Sequence, residues 1–232
     1  MKIAIVGTCE SSRLLAPWHD DAWTKWVCGP RNTDVPCADA WFELHAPHEL
    51  NAPADDAWRQ WLAKQEFDVY LQDPSQHPDI PKAKRFPLED VLAQFPPPHF
   101  FTSTIAWMMG FALTQIGIKE IAIFGVDMAH DTEYGLQKPG CHYLAHEARR
   151  FGVKVSTPPQ SDLLRSIPLY GYSKASPHAQ KFAARRAELE ASKAKLTKLR
   201  EELQKMLHKA DVDLGTVEGA LQNHGWIERT YL

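Results

Sequence analysis

The sequence predicts an α/β domain with a doubly wound, mainly parallel sheet, followed by a helical coiled-coil extension. Short apolar runs alternate with helix-like segments from Lys2 to Ser156, an order that is typical of parallel sheets. The run at 121–126 is almost entirely apolar, as expected of a strand buried on both faces. Beyond residue 178 the chain is rich in Ala, Glu, Lys, Leu and Arg, which favours a long helix.

The composition indicates one sizeable globular domain with an appendage. The chain has 232 residues, of which 44% are hydrophobic, and a net charge of −3. This charge gives no basic field, so nucleic-acid binding is not indicated. The four cysteines form no C-x-x-C pair, and we expect reduced thiols in a cytoplasmic protein. No segment reaches transmembrane length, and the first residues enter a strand without the features of a signal peptide.

The predicted elements occupy the chain up to about residue 164. We expect the strands at 2–6, 68–72 and 120–126 to be central and adjacent, because they are the most continuously apolar. Residues 128–140 are expected to form a polar binding loop. The further predicted strands lie at 26–29, 40–44 and 153–156, and the predicted helices at 54–64, 87–94, 105–116 and 141–151, with a short one ending at Leu15.

The tail predicts an oligomer. We place the domain boundary at 172/173, with a nucleotide-binding domain over 1–172 and the coiled-coil tail over 173–232. Leu199 and Met206 fill positions between the members of a heptad series, while Ser192 makes the seam imperfect. This pattern predicts a homo-oligomer through the C-terminal helix, and residues 213–232 are interpreted as a short polar end. The heptad series itself comprises Phe182, Leu189, Leu196, Leu203 and Ala210.

Polar residues follow several of the predicted strands. Gly7 and Thr8 form the turn after the first strand, and Asp73 and Asp127 follow two later strands. Parallel sheets bind ligands at this carboxyl edge. Thr102-Ser103 opens the apolar helix, where free amides suit a phosphate. The first turn has a single glycine, so the dinucleotide fingerprint is absent. Each of these residues could instead serve as a turn former or helix cap.

Five segments together resemble the bacterial sialyltransferases that use a CMP-sugar donor. They also resemble the related hydroxymethylpterin-diphosphokinase-like group, which includes uncharacterised phage and archaeal proteins. The resemblance covers roughly residues 1–165 and implies a Rossmann-like fold. The segments are Gly-Thr-x-x-Ser-Ser-x-Leu at 7–14, Val-Tyr-Leu-Gln-Asp-Pro-Ser at 69–75, Thr-Ser at 102–103, Gly-Ile-Lys-Glu-Ile-x-x-x-Gly-Val-Asp at 117–127, and Val-Lys-Val with Ser-Asp-Leu-Leu at 153–164.

The resemblance implies roles for individual residues. A nucleotide or nucleotide-sugar, of the CMP type, would be the ligand, with no metal and no other cofactor. Tyr134 would contact the donor phosphate, with Lys138 or Arg31 assisting, and His142 or His130 would be the general base. The residues that would hold the nucleotide are Gly7, Thr8, Asp73, Thr102 and Ser103, to which the strand-end argument adds Asp127.

The sequence also departs from this family. Cys9 stands where the family has an asparagine in the first turn, and Ala129 and His130 occupy the region of a second tyrosine. Two hypotheses therefore stand side by side. The chain is a glycosyltransferase-like enzyme, or it is a catalytically inactive nucleotide-binding or scaffold protein of a phage or mobile element. A two-histidine metal face at His142 and His146, beside Glu147, is less favoured, because the sequence marks no third ligand.

Overall fold

The computed structural model describes residues 1–29, 33–51, 56–128, 132–165, 169, 172 and 179–231. Within these residues, seven strands form one sheet in which every neighbouring pair is parallel. This confirms the predicted fold class. The strands are β1 (Lys2–Val6), β2 (Thr24–Cys28), β3 (Ala40–Glu43), β4 (Asp68–Leu71), β5 (Ala83–Arg85), β6 (Glu120–Phe124) and β7 (Lys154–Ser156).

The helices connect these strands and follow them. The described helices are α1 (Glu10–Arg13), α2 (Pro47–Leu50), α3 (Asp56–Leu62), α4 (Leu88–Gln94), α5 (Thr104–Thr114), α6 (Thr132–Arg150) and α7 (Ala179–Tyr231), and a 3-10 turn spans Pro74–Gln76.

The strand order is β5-β4-β3-β2-β1-β6-β7. The chain builds the sheet outward from β1 to β5, and then returns to the other side of β1 with β6 and β7. The direction of winding therefore reverses between β1 and β6, whose registers align Lys2 with Glu120 and Val6 with Phe124. In an open α/β sheet this switch point leaves a crevice at the carboxyl ends of the two strands.

The prediction that 68–72 neighbours the two central strands was wrong. β1 and β6 are adjacent, but β2 and β3 separate β4 from β1. The prediction assumed that the most continuously apolar strands lie at the centre of the sheet, and this assumption does not hold for β4. β3 is buried at every position although it contains Glu43, whereas burial in β4 is only partial at Asp68 and Tyr70.

The core has two layers, one on each face of the sheet. On one face, alternate residues of β1 such as Ile3 and Ile5 pack with α5 and α6. On the other face, Ala4 and Val6 belong to a layer that includes Trp41 and Trp58. Helix α5 lies under the first layer, and its Met108, Met109 and Ala112 are fully buried. This burial follows from the almost wholly apolar sequence of the helix that was predicted at 105–116.

The predicted polar loop at 128–140 was also wrong over most of its length. Helix α6 already begins at Thr132 and continues through Pro139. The length and the polar side chains of the segment had suggested a loop, and Pro139 within it removes one amide donor from the helix. Gly140 lets α6 approach the start of α5, since a Cβ there would collide with the Phe100 carbonyl oxygen. Tertiary packing on α5 thus supports a helix that local propensity disfavours.

The tail forms a separate unit. Contacts divide the chain into Met1–Lys181 and Phe182–Leu232. Helix α7 has 53 residues, a length of about 80 Å at 1.5 Å per residue. The short polar end that we predicted from residue 213 is therefore wrong, because the helix continues to Tyr231. None of the described helices has the length and hydropathy that crossing a bilayer requires.

Candidate ligand-binding site

A crevice lies at the switch point of the sheet. It has a volume of about 310 Å³, within the range of small-molecule sites. The carboxyl ends of β1, β2 and β6 form its walls, and α5 and α6 contribute one residue each. The lining residues are Gly7, Thr8, Cys9, Cys28, Gly29, Ile105, Gly125, Val126, Asp127, Met128 and Gln137. The crevice thus brings together Gly7, Thr8 and Asp127, three of the residues that the sequence singled out.

The floor of the crevice is formed by backbone contacts between the ends of β1 and β6. The Gly7 amide donates to the Phe124 carbonyl at 2.9 Å, and the Cys9 amide donates to the Gly125 carbonyl at 2.8 Å. The Gly125 amide donates to Ser12 Oγ at 2.8 Å. A Cβ on Gly7 would lie 2.6 Å from the Gly125 carbonyl oxygen. Gly7 therefore permits close approach of the two loops, while its amide and that of Cys9 are engaged within the chain.

The neighbouring loops adopt left-handed backbone conformations. Gly29 has φ of 98° and Met128 has φ of 51°. A side chain on Gly29 would collide with the methyl group of Thr8, so these two loops interlock. Met128 is a buried residue without the conformational freedom of glycine, and such strain concentrates at functional sites. Residues 30–32 and 129–131, which include Arg31 and His130, lie outside the described residues.

A turn near the end of the domain fastens the loop after β6. The Asp162 amide donates to Asp127 Oδ1 at 2.8 Å, and Ser161 Oγ donates to the Val126 carbonyl at 2.6 Å. Asp162 in turn pairs with Arg165 at 2.8 Å, and both side chains are largely buried. Asp127 therefore holds a turn in place.

Thr102 and Ser103 fulfil structural roles at the junction of α5 and α6. Ser103 is the N-cap of α5, and its Oγ accepts from the Ala106 amide at 3.1 Å. Thr102 Oγ1 donates to the Gln137 carbonyl at 2.9 Å. Neither is among the described residues that line the crevice. The cap that the sequence allowed is present, and the contact with a ligand stays a prediction.

Asp73 lies at the end of β4, three strands away from β1. It caps the 3-10 turn by accepting from Ser75 Oγ at 2.8 Å and from Gln76 Nε2 at 3.0 Å, and it pairs with Arg85 at 3.1 Å. The hydrogen bonds from Gln76 and Ser75 lower the pKa of this carboxyl below its usual value. Asp73 is not among the described lining residues of the crevice. Its predicted role in the nucleotide site receives no geometric support.

A second cavity, of about 290 Å³, opens at the same edge near Asp73. Its aromatic residues Phe86 and Trp107 meet edge-on with ring centroids 5.7 Å apart. Gln72 Nε2 donates to the Leu44 carbonyl at 2.7 Å at this edge. The lining residues are Leu44, Gln72, Arg85, Phe86, Leu88, Glu89 and Trp107.

Of the candidate catalytic residues, His142 is the one whose side chain the structure describes, and it lies outside the crevice. His142 is on α6, and its Nε2 bonds to the Leu163 carbonyl. That bond fixes Nε2 as the donor, so Nδ1 is the atom able to accept a proton. Neither His142 nor Lys138 is among the described lining residues. Tyr134 lies in the first part of α6, where the structure describes the backbone alone.

Two buried thiols were not predicted as part of the site. Burial raises the pKa of Cys28 to about 12, with Glu43 and Cys141 adding to the effect. Burial also raises the pKa of Cys141 to about 11, against a hydrogen bond from Ser103 that lowers it. Both thiols are therefore protonated near neutral pH. Cys28 lines the crevice beside Cys9, which is partly exposed.

Glu43 is a second group that the sequence analysis missed. It ends β3 as a buried carboxylate, accepts from Trp58 Nε1 at 3.2 Å and contacts the His45 ring. The signal was present as a charged residue that closes an apolar strand and is followed two positions later by histidine. Across the described ranges, no cluster of three or more His, Cys, Asp or Glu residues is arranged to hold a metal ion.

Comparison with known proteins found no matching family model, no matching curated protein and no matching solved structure. The resemblance to sialyltransferases therefore rests on the quoted segments alone.

Proposed function

We propose that the chain binds a nucleotide or nucleotide-sugar in the switch-point crevice. The observation that carries this proposal is the crevice between the ends of β1 and β6, lined by Gly7, Thr8 and Asp127. In open parallel sheets, ligands bind at this position. The three residues come from two loops that are more than a hundred positions apart in the sequence.

The chemistry of the wall suits the parts of a nucleoside phosphate. Ile105, Val126 and Met128 offer an apolar surface for a base. Asp127 is a carboxylate in the wall, a type of group that accepts hydrogen bonds from ribose hydroxyls. Thr8 is exposed at the rim, where its hydroxyl can donate to a phosphate. The amides of Gly7 and Cys9 are already engaged, so in this proposal they shape the loop and do not cradle the phosphate.

Group transfer is the second candidate. It is favoured by one observation, that Met128 in the wall precedes His130 by two residues. A transferase also needs a base at the acceptor and stabilisation of the departing phosphate. Because His142 is not among the described lining residues, we favour His130 as the candidate for the base. The binding proposal does not require group transfer. A catalytically inactive protein that binds a nucleotide, the alternative hypothesis from the sequence, would use the same crevice.

The test is calorimetric titration of CMP, UMP, GMP, AMP and a CMP-sugar into the protein and into Thr8→Glu. The variant places a carboxylate beside the expected phosphate, so we expect affinity to fall by about tenfold or more, equivalent to ~1.4 kcal/mol. Thr8 is exposed, but its methyl group lies close to Gly29, so urea unfolding of the variant is measured to show that the fold is kept.

The matched control is Ile116→Glu. Ile116 is 99% exposed, lies in the connection that enters β6 from its amino end, and undergoes the same change in charge. Nucleotide affinity should be that of the parent. Equal affinity in Thr8→Glu and the parent would place the ligand elsewhere, and no binding by any of the five ligands would refute the proposal. Hydrolysis of the CMP-sugar, lost in His130→Ala, would support group transfer.

A further inference from the structure

Between Leu189 and Leu221, helix α7 carries an apolar stripe that is exposed within the described part of its unit. Its large apolar side chains are exposed, for example Leu196 at 63% and Leu207 at 63%. The stripe runs at alternating intervals of three and four residues through Leu189, Leu196 and Leu199 to Leu203. At Leu203 two intervals of four follow each other, and Leu207 continues the stripe in place of Met206. Such an insertion is a stutter in the heptad pattern.

The stutter makes the stripe palindromic about Leu203. Each position before Leu203 has a counterpart at the same distance after it. The counterparts are Leu199 with Leu207, Leu196 with Ala210, Ser192 with Leu214, Leu189 with Val217, Arg185 with Leu221, and Phe182 with His224. A sequence with this symmetry meets itself in register when two copies run in opposite directions.

We propose that α7 pairs with α7 of a second copy of this chain as an antiparallel coiled coil centred on Leu203. Facing positions then combine large with small side chains, as in Leu196 with Ala210 and Leu214 with Ser192, which is how layers interdigitate. The interface is isologous and closes as a dimer.

Charge favours the same orientation. Residues 182–209 contain eight Lys or Arg and four Asp or Glu, a net charge of +4. Residues 210–231 contain one Lys or Arg and four Asp or Glu, a net charge of −3. Antiparallel pairing sets each positive half against a negative half. In this register the flanking positions bring Lys193 opposite Asp211 of the second copy, and Lys195 opposite Asp213 of the second copy. Arg186, which pairs with Glu190 on its own helix at 2.9 Å, lies opposite Glu218 of the second copy.

A parallel dimer would lose these advantages. Each residue of the stripe would meet its own copy, so Arg185 would face Arg185 and Ser192 would face Ser192. The flanking positions would oppose Lys195 to Arg200, and like charges there are destabilising. The favourable flanking pair of a parallel dimer would be Glu188 with Lys193. Lys193 therefore pairs with Asp211 in the antiparallel arrangement and with Glu188 in the parallel one.

The two halves of α7 also differ in helix propensity, and the C-terminal half has the lower one. Gly215 and Gly219 fall on the outer face, where an added Cβ would meet nothing within 4 Å. Glycine disfavours an isolated helix. The N-terminal half, rich in Ala, Glu, Lys and Leu, favours one. Antiparallel pairing packs the C-terminal half of each helix, with its lower helix propensity, against the N-terminal half of the second copy.

The test is light scattering of the full chain over a concentration series, for the parent and for charge-swap variants at exposed positions. The parent should give twice the chain mass of 26.3 kDa. Lys193→Glu and Asp211→Lys should each raise the dimer dissociation constant by about tenfold, and the double variant should restore the parent value. Circular dichroism confirms that each variant keeps its helix content.

The matched control is the double variant Glu188→Lys with Lys193→Glu, which restores charge pairs in a parallel dimer. We expect no restoration. Recovery in this control, without recovery in Lys193→Glu with Asp211→Lys, would replace the antiparallel arrangement by a parallel one. A monomeric parent, or a dimer insensitive to all these changes, would overturn the proposal.

Discussion

At the scale of single residues, the crevice depends on two glycines in contact. Gly125 has φ of 63°, and a Cβ there would collide with the Gly7 carbonyl oxygen. Gly125→Ala should therefore lower the free energy of unfolding by about 3 kcal/mol, from the left-handed backbone and from the collision together. The measurement is urea unfolding of parent and variant.

The matched control is Gly117→Ala. Gly117 has φ of 75°, but nothing lies within 4 Å of the added Cβ. It should cost about 1–2 kcal/mol, the backbone strain alone. Equal losses in the two variants would mean that the Gly7–Gly125 contact carries no steric constraint.

Residue types at strand ends could be predicted from sequence, but the partners of those residues could not. Gly7, Thr8 and Asp127 stand next to apolar runs, so their place at the carboxyl edge follows from the pattern. Gln137 reaches the crevice from the first part of α6, which the sequence analysis predicted to be a loop. Likewise, nothing local to Asp127 indicates that the Asp162 amide donates to it. These contacts arise from chain segments that only the folded sheet brings together.

At the scale of elements, the N-cap of α5 contributes to the stability of the domain. Ser103→Ala removes the oxygen that accepts from the Ala106 amide, so the free energy of unfolding should fall by about 1 kcal/mol. Urea unfolding measures this change. Titration with nucleotide in the same variant tests the predicted contact of Ser103 with the ligand.

Thr114→Ala, at the other end of α5, serves as the control. The Thr114 hydroxyl bonds to the Phe111 carbonyl within the same helix, and alanine has the higher helix propensity. This variant should be as stable as the parent or slightly more stable. If Ser103→Ala behaves in the same way, its hydroxyl does not stabilise the helix.

Elements with a strong apolar period were predicted well, and elements set by tertiary packing were not. The strand 68–71 and the buried helix α5 were found close to their observed bounds. The first turns of α6, with Pro139 and Gly140, and the strand β5, with Lys84 and Arg85, have no such period. Strand order was mispredicted for β4 because apolar content does not encode distance from the switch point.

At the scale of the whole molecule, the chain combines two units with separate roles in our account. The sheet domain supplies the crevice, and α7 supplies a surface for a second copy. The proposals are independent. Charge swaps at Lys193 and Asp211 test α7 without changing the crevice, and Thr8→Glu tests the crevice without changing α7.

The four thiols offer a direct probe of the crevice. Cys9 lines it and is partly exposed, whereas Cys37 is exposed outside it. Cys28 and Cys141 are buried, with their pKa raised to about 12 and about 11. Since a raised pKa disfavours the thiolate, these two should react slowly until unfolding.

The contribution of Cys28 and Cys141 to the free energy of unfolding is present below the ordinary thiol pKa and is lost as pH rises through the raised pKa values.

The most direct test of the central claim is the rate of alkylation at Cys9 with and without saturating nucleotide, resolved by peptide mass spectrometry. We expect CMP, or whichever ligand of the panel binds, to slow modification of Cys9 by about tenfold or more, because a ligand in the crevice covers this side chain. The rate at Cys37 should stay unchanged and serves as the internal control. Nucleotide binding that leaves the rate at Cys9 unaltered would contradict a site at the switch point.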